Sequence, residues 1–287
     1  MKIHSNISPL PFYADINEQN HRKSYAYGQV YPLISAGNYI LPFQFIYENS
    51  AIANASFSSD YNDDFSTDVT QSNIGGISAV RLVALDSGLA IDITVPMLGQ
   101  GLNIFQSNSG LYRIKCPGAH ILIKPGYYYL ELAFTGTSNV VYSDVFLSTP
   151  DISSCIKIEY YNSRDLVLPV GSADFNNNFK FICFLDTIIG KPEYSYEEEA
   201  TLRNGYTFIE SQVSKKTYRF TALAPEYLCD ALRIVRLCNN KAIFSGNKVF
   251  KALTFNMDVK WEEQGDLADV ECEFETDTVI FNIGNTK

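Results

Sequence analysis

Apolar and polar residues alternate with period two over much of this chain, in short runs separated by turn residues, and that pattern predicts strands far more often than helices. In the first half, residues 25–31 and 39–47 read as strands, with Ala36-Gly37-Asn38 as the turn between them. Residues 48–78 are rich in Ser, Asn and Asp and read as a long polar loop or flap. Strands resume at 79–85 and 89–95 on either side of the tight turn Asp86-Ser87-Gly88, then at 111–115, 120–124, 127–134 and 140–147. No helix of useful length is expected in this half. Short strands punctuated by Gly, Pro and Asn argue for a β-sandwich or jelly roll.

Ser148-Thr149-Pro150-Asp151 interrupts the pattern and divides the chain into an expected β-sandwich domain, 1–152, and a second domain, 153–287. In the second domain, strands are expected at 155–161, 179–185, 217–222, 253–261 and 269–281. One helix separates them, starting at Pro225, where the missing N–H costs nothing. Leu228, Ala231, Leu232 and Val235 form its apolar stripe. Glu226 and Asp230 lie early and Arg233 and Arg236 late, as the helix dipole favours, and Asn239-Asn240 can end it. The class is mainly β: a sandwich followed by an α+β unit with one helix and a long hairpin.

That hairpin carries the most informative local pattern. Asp269, Glu271, Glu273, Glu275 and Asp277 alternate with Val270, Cys272, Phe274, Thr276 and Thr278, so at period two all five acids point to one face of a strand. Residues 255–261 alternate too, and 262–266, with Gly265, can turn the chain back. Two readings stand open. The row is either an ordinary solvated face, screened by water and salt, or the lining of a channel that repels DNA from its wall.

At 287 residues and 46% hydrophobic the chain can bury two cores, and its 14% aromatic share, with 19 Tyr and 19 Phe, favours sheet. The net charge of −10 is shared by both halves with no cluster of Lys and Arg, which argues against tight nucleic-acid binding. No membrane span is expected, since no apolar window is long enough, and the N-terminal residues carry no export signal core. The six cysteines form no CxxC pair and read as reduced, buried thiols.

Candidate chemistry is sparse. His4, His21 and His120 lie far apart in different kinds of segment. The run from Asp60 to Asp68 has oxygen-bearing residues at calcium-loop offsets, but Phe65 stands where an EF-hand needs Gly and Gln71 where it needs Glu. Glu197-Glu198-Glu199 and Glu262-Glu263 read as solvated charge runs rather than a glycosidase pair. Tyr127-Tyr128-Tyr129 suggests a sugar-stacking platform, yet adjacent strand residues point to opposite faces. No GxGxxG, Walker A or GxSxG motif is present. Neither a cofactor nor an enzymatic activity is expected.

Two stretches carry a resemblance. Pro125-Gly126-Tyr127-Tyr128-Tyr129-Leu130-Glu131-Leu132, followed by Tyr142-Ser143-Asp144-Val145-Phe146, resembles a β-module recurrent in tail proteins of phages that infect Bacteroidetes. The run from Tyr218 to Leu232, with Trp261-Glu262-Glu263-Gln264-Gly265-Asp266-Leu267-Ala268, looks like the same proteins, including those of crAss-like phages. The resemblance covers residues 120–285 and brings no catalytic residues. It implies a tail ring or tube-like virion protein, made in the host cytoplasm. Such a protein forms a cyclic homo-oligomer beside other tail or portal-vertex proteins, and DNA passes through it without sequence-specific binding. Asp269, Glu271, Glu273, Glu275 and Asp277 are then the candidate channel lining. The alternative is a carbohydrate- or receptor-binding β-sandwich module, resting on the first half and its tyrosines.

Overall fold

The computed structural model describes residues 2–15, 33–34, 39–48, 65–73, 75–107, 110–149, 152–168, 171–261 and 267–282. The expected strand at 25–31, the turns at 36–38 and 262–266, most of the polar loop, and Pro150-Asp151 of the expected linker lie outside the described residues.

The first half is a sandwich of strands. In order they are β1 (Lys2–Asn6), β2 (Phe12–Tyr13), β3 (Leu33–Ile34), β4 (Phe43–Glu48), β5 (Thr67–Asp68) and β6 (Ile77–Ala84). β7 (Ala90–Asp92), helix α1 (Thr94–Gly99), β8 (Asn103–Gln106), β9 (Leu111–Cys116), β10 (Gly126–Phe134), β11 (Val140–Ser143) and β12 (Phe146–Ser148) follow. One sheet runs β1-β4-β9-β8-β5; the other runs β2-β11-β10-β12-β3, with β6 and β7 joined through β10. Their facing sides share one core, in which Phe43, Phe45, Tyr47 and Ile114 of the first sheet meet Val80, Leu130, Leu132 and Phe146 of the second. The sandwich is built by alternation: its central strands, such as β4 and β10, turn every second side chain into the shared core.

Three expectations change here. The strand foreseen at 89–95 stops at Asp92, whose Oδ1 accepts bonds from the Thr94 N–H (2.9 Å) and hydroxyl (2.6 Å). That local bond diverts the backbone into α1, so the half does contain a helix. Residues 120–124 form no strand. His120 is tied by its N–H and C=O to the side chain of Gln100, and Leu122 faces outward. The single strand foreseen at 140–147 is two, because Ser143 and Asp144 turn inward: the Ser143 hydroxyl accepts the Leu130 N–H, and Asp144 Oδ1 accepts the Val145 N–H.

The second half comprises β13 (Ile156–Tyr161), β14 (Leu166–Leu168), β15 (Gly171–Ala173), β16 (Phe181–Leu185), β17 (Glu193–Arg203) and β18 (Tyr206–Pro225). It continues with α2 (Glu226–Leu237), β19 (Asn240–Ser245), β20 (Lys248–Lys251), β21 (Asn256–Trp261) and β22 (Leu267–Asn282). β14 and β15 pair with each other; the other strands form two antiparallel sheets, β16-β13-β19-β20 and β17-β18-β22-β21. Ile158 and Phe181 of the first, Phe220, Cys272 and Phe274 of the second, and Leu228, Leu232 and Val235 of α2 close over one core. The helix starts at Glu226, with Pro225 as its extended N-cap residue rather than inside the first turn.

β16 belongs to both cores. Phe181, Cys183 and Leu185 point into the second, whereas Phe184 is buried in the first and Ile182 packs against it. A buried polar latch joins the halves beside it. Asp174 Oδ2 lies 3.0 Å from Lys115 Nζ and 3.8 Å from an Arg113 guanidinium nitrogen, and Gln44 exchanges two side-chain bonds with the Asp174 backbone.

Candidate functional site

The acidic strand is a central strand, β22, not one arm of an isolated hairpin. The expected partner β21 lies on one side, with Val259 opposite Val270 and Lys260 opposite Asp269. On the other side lies β18, the longest strand among the described residues, with Arg219 opposite Glu273 and Thr221 opposite Glu271. Ala268, Val270, Cys272 and Phe274 are buried against the core. Asp269 and Glu271 are exposed on the other face, and Glu273 and Glu275 half-exposed. Four of the five foreseen acids therefore form one row. The fifth follows a break: Glu275 pairs with Thr217 but Asp277 with Lys216, so an extra residue at Thr276 makes a β-bulge between them.

Strand β17, which alternation did not reveal, extends this face. Directly opposed residues in an antiparallel pair share a face. Glu193 opposes Thr217, Ser195 opposes Lys215, Glu197 opposes Val213 and Glu199 opposes Ser211, so Glu193, Glu197 and Glu199 join the row of β22. Cations are interspersed. Arg219 bridges Glu193 (3.0 Å) and Glu273 (2.8 Å), and Lys215 reaches Glu197 at 2.6 Å. The bond to Glu273 raises the Arg219 pKa above its ordinary value, and the bond to Glu197 does the same for Lys215. Asp258 stands opposite Glu271, two like charges side by side on the same surface. Carboxylates outnumber cations here, and the face is a negatively charged, open sheet surface.

The turn that closes β17 onto β18 had a signal in the sequence. Asn204-Gly205 is a strong hairpin signature, and both residues take positive φ, 51° and 82°, as a type I′ turn requires. The three consecutive glutamates, which read as a charge run, obscured the strand around it. They are exposed and hydrogen-bonded to β18: Gln212 donates to Glu198 (2.7 Å) and Ser211 to Glu199 (2.9 Å).

The other candidates disperse. His4 Nε2 lies 3.0 Å from Glu48, while the His120 ring sits against Tyr39. Asp60–Asp64 of the calcium-like run are outside the described residues, and Asp68 accepts two bonds from Thr70. Of the tyrosine run, Tyr129 is buried, Tyr128 stacks on Phe146, and Tyr127 packs against Val145, so all three are engaged in sheet packing. Among the described residues no group of three His, Cys, Asp or Glu side chains converges as a metal cage, and no helix is long and apolar enough to cross a membrane. No protein-family model matches the chain, and no curated protein matches it either.

Proposed function

We propose that this protein is a non-enzymatic structural subunit of a phage tail, a ring or adaptor protein that assembles as a cyclic oligomer around the DNA channel. The observation that carries the reading is the exposed carboxylate face. Asp269, Glu271, Glu273 and Glu275 stand in one row, and Glu193, Glu197 and Glu199 widen it across the sheet. Repeated around a bore, that surface presents DNA with like charge, which disfavours adhesion while leaving sequence unread. The bridging cations hold the side chains in place without neutralising the row.

The test is charge reversal. Glu271→Lys, Glu273→Lys and Glu275→Lys together place cations on an exposed face, where each change costs little folding stability. Particles carrying the triple variant are expected to assemble but to retain DNA or eject it slowly, with the defect weakening as salt rises. An electron microscopy reconstruction of the assembly with these three side chains on its outer rim overturns the channel role.

A further inference from the structure

Beyond the body of the protein, β17, β18 and the end of β22 run on as a three-stranded arm with both faces open. Residues 193–200 of β17 are all exposed, and so are 206–209 of β18 and 278–280 of β22. The face opposite the carboxylates is the apolar side of the sheet, which the core covers from Ala224 and Ala268 out to Tyr218 and Phe274, where Phe250 packs against both rings. Farther out, Tyr194, Tyr196, Leu202 and Val279 are 60–76% exposed on that face.

The arm has two free edges. Among the described residues β17 pairs only with β18; β21 pairs with β22 no farther than Glu273, and Leu253 and Thr254 bond the Glu275 backbone, so the free edge of β22 begins beyond Glu275. Backbone donors and acceptors along both outer edges therefore face water, a template for another strand. β17 and β22 are each antiparallel to β18, so they run in the same direction. The free edges span about 20–35 Å at the usual rise per residue. Their chemistry differs: the β17 edge carries Glu197-Glu198-Glu199, whereas the β22 edge at Thr278-Val279-Ile280 is uncharged and β-branched.

We propose that the arm's partner is a second copy of this chain, with the β17 edge of one copy pairing in parallel with the β22 edge of the next. Pairing β17 with another β17 opposes glutamate triplets, which is unfavourable. Pairing β22 with another β22 leaves both β17 edges open. The mixed joint sets the glutamates beside uncharged residues and uses both edges. Because the joined edges differ, the contact repeats head to tail, as a ring requires, and closes when the rotation between copies completes a turn. The joint rests on the cyclic assembly proposed above, but not on what passes through it.

Cysteine cross-linking tests it. Tyr196→Cys is combined in turn with Thr278→Cys, Val279→Cys and Ile280→Cys in the full-length chain and oxidised with glutathione disulfide. Within one copy β18 separates the two strands by about 10 Å, too far for a disulfide. The native cysteines Cys116, Cys183, Cys229, Cys238 and Cys272 are buried and compete little, and the half-buried Cys155 is replaced by serine in every variant. At least one combination is expected to give a ladder of covalent oligomers on a denaturing gel, while each single variant stays monomeric. Ile280→Lys, which charges the joint without altering the body, is expected to shift the protein to monomer in sedimentation. A covalent dimer from any single variant, or an uncross-linked monomer from all three combinations, overturns the joint. A ladder together with normal DNA ejection by the lysine triple variant retains the joint and removes the channel.

Discussion

Tyr160 carries a hydroxyl that is fully buried and has no hydrogen-bond partner among the described residues, while its ring stacks on Phe181 at 5.4 Å. A buried polar atom left unpaired costs about 1–3 kcal/mol. Tyr160→Phe keeps the ring and removes that cost, so urea denaturation is expected to give unchanged stability or a gain of about 1 kcal/mol; a loss of that size refutes the packing described. The cysteines make a second residue-scale case. Burial pushes the thiols of Cys116, Cys183 and Cys238 up to about 12 and that of Cys229 up to about 11, and it raises Cys272 as well. Since the thiolate is the reactive form, maleimide should label Cys183, Cys229 and Cys272 slowly in native protein and rapidly after denaturation. Fast native labelling of all three contradicts their burial.

At the scale of elements, α2 is held by one stripe. Leu232 is fully buried, as are Ala231 and Val235, whereas the side chain of Arg233 is exposed and pairs with Asp230 at 3.3 Å. Leu232→Asp puts a carboxylate into that core and is expected to cost about 4 kcal/mol or more. Arg233→Ala gives up only an exposed i,i+3 pair, worth about 0.5 kcal/mol. Comparable thermal midpoints for the two variants contradict the orientation of the helix. The same logic explains why this helix was readable from the chain while β17 was not. A stripe at 3.6-residue spacing records one buried face, and β17 buries neither.

For the whole molecule, the contact between halves matters most. Burial alone would raise the Asp174 carboxyl, but the Asn176 N–H at 2.7 Å and Lys115 beside it hold its pKa below the ordinary value. Burial pushes Lys115 below its own ordinary value even with that partner. A carboxyl that binds its proton more weakly when folded stabilises the protein above the ordinary pKa of 3.8 and ceases to as pH falls through its native value. Asp174→Asn should therefore flatten the acid limb of the stability profile. Asp174→Ala, which strands Lys115 and Arg113 in a buried site, is expected to cost about 3–5 kcal/mol near neutrality. An unaltered acid limb and a cost below about 1 kcal/mol contradict the latch.

Local periodicity alone determined the mainly β class, the stripe of α2, the hairpin of β21 with β22, and the exposed row from Asp269 to Glu275. Each is written into neighbouring residues by a two- or 3.6-residue repeat. Tertiary structure decided what such repeats do not encode: partners, edges and interruptions. The bulge at Thr276 appears only when β22 is laid against β18. Phe181 and Phe184 read as one apolar run, and only packing sends them into different cores. Asp174 meets Gln44 across 130 positions. Asn204-Gly205 announced a turn, but the length of the arm it closes came from strand pairing, because an arm open on both faces leaves no burial pattern along the chain.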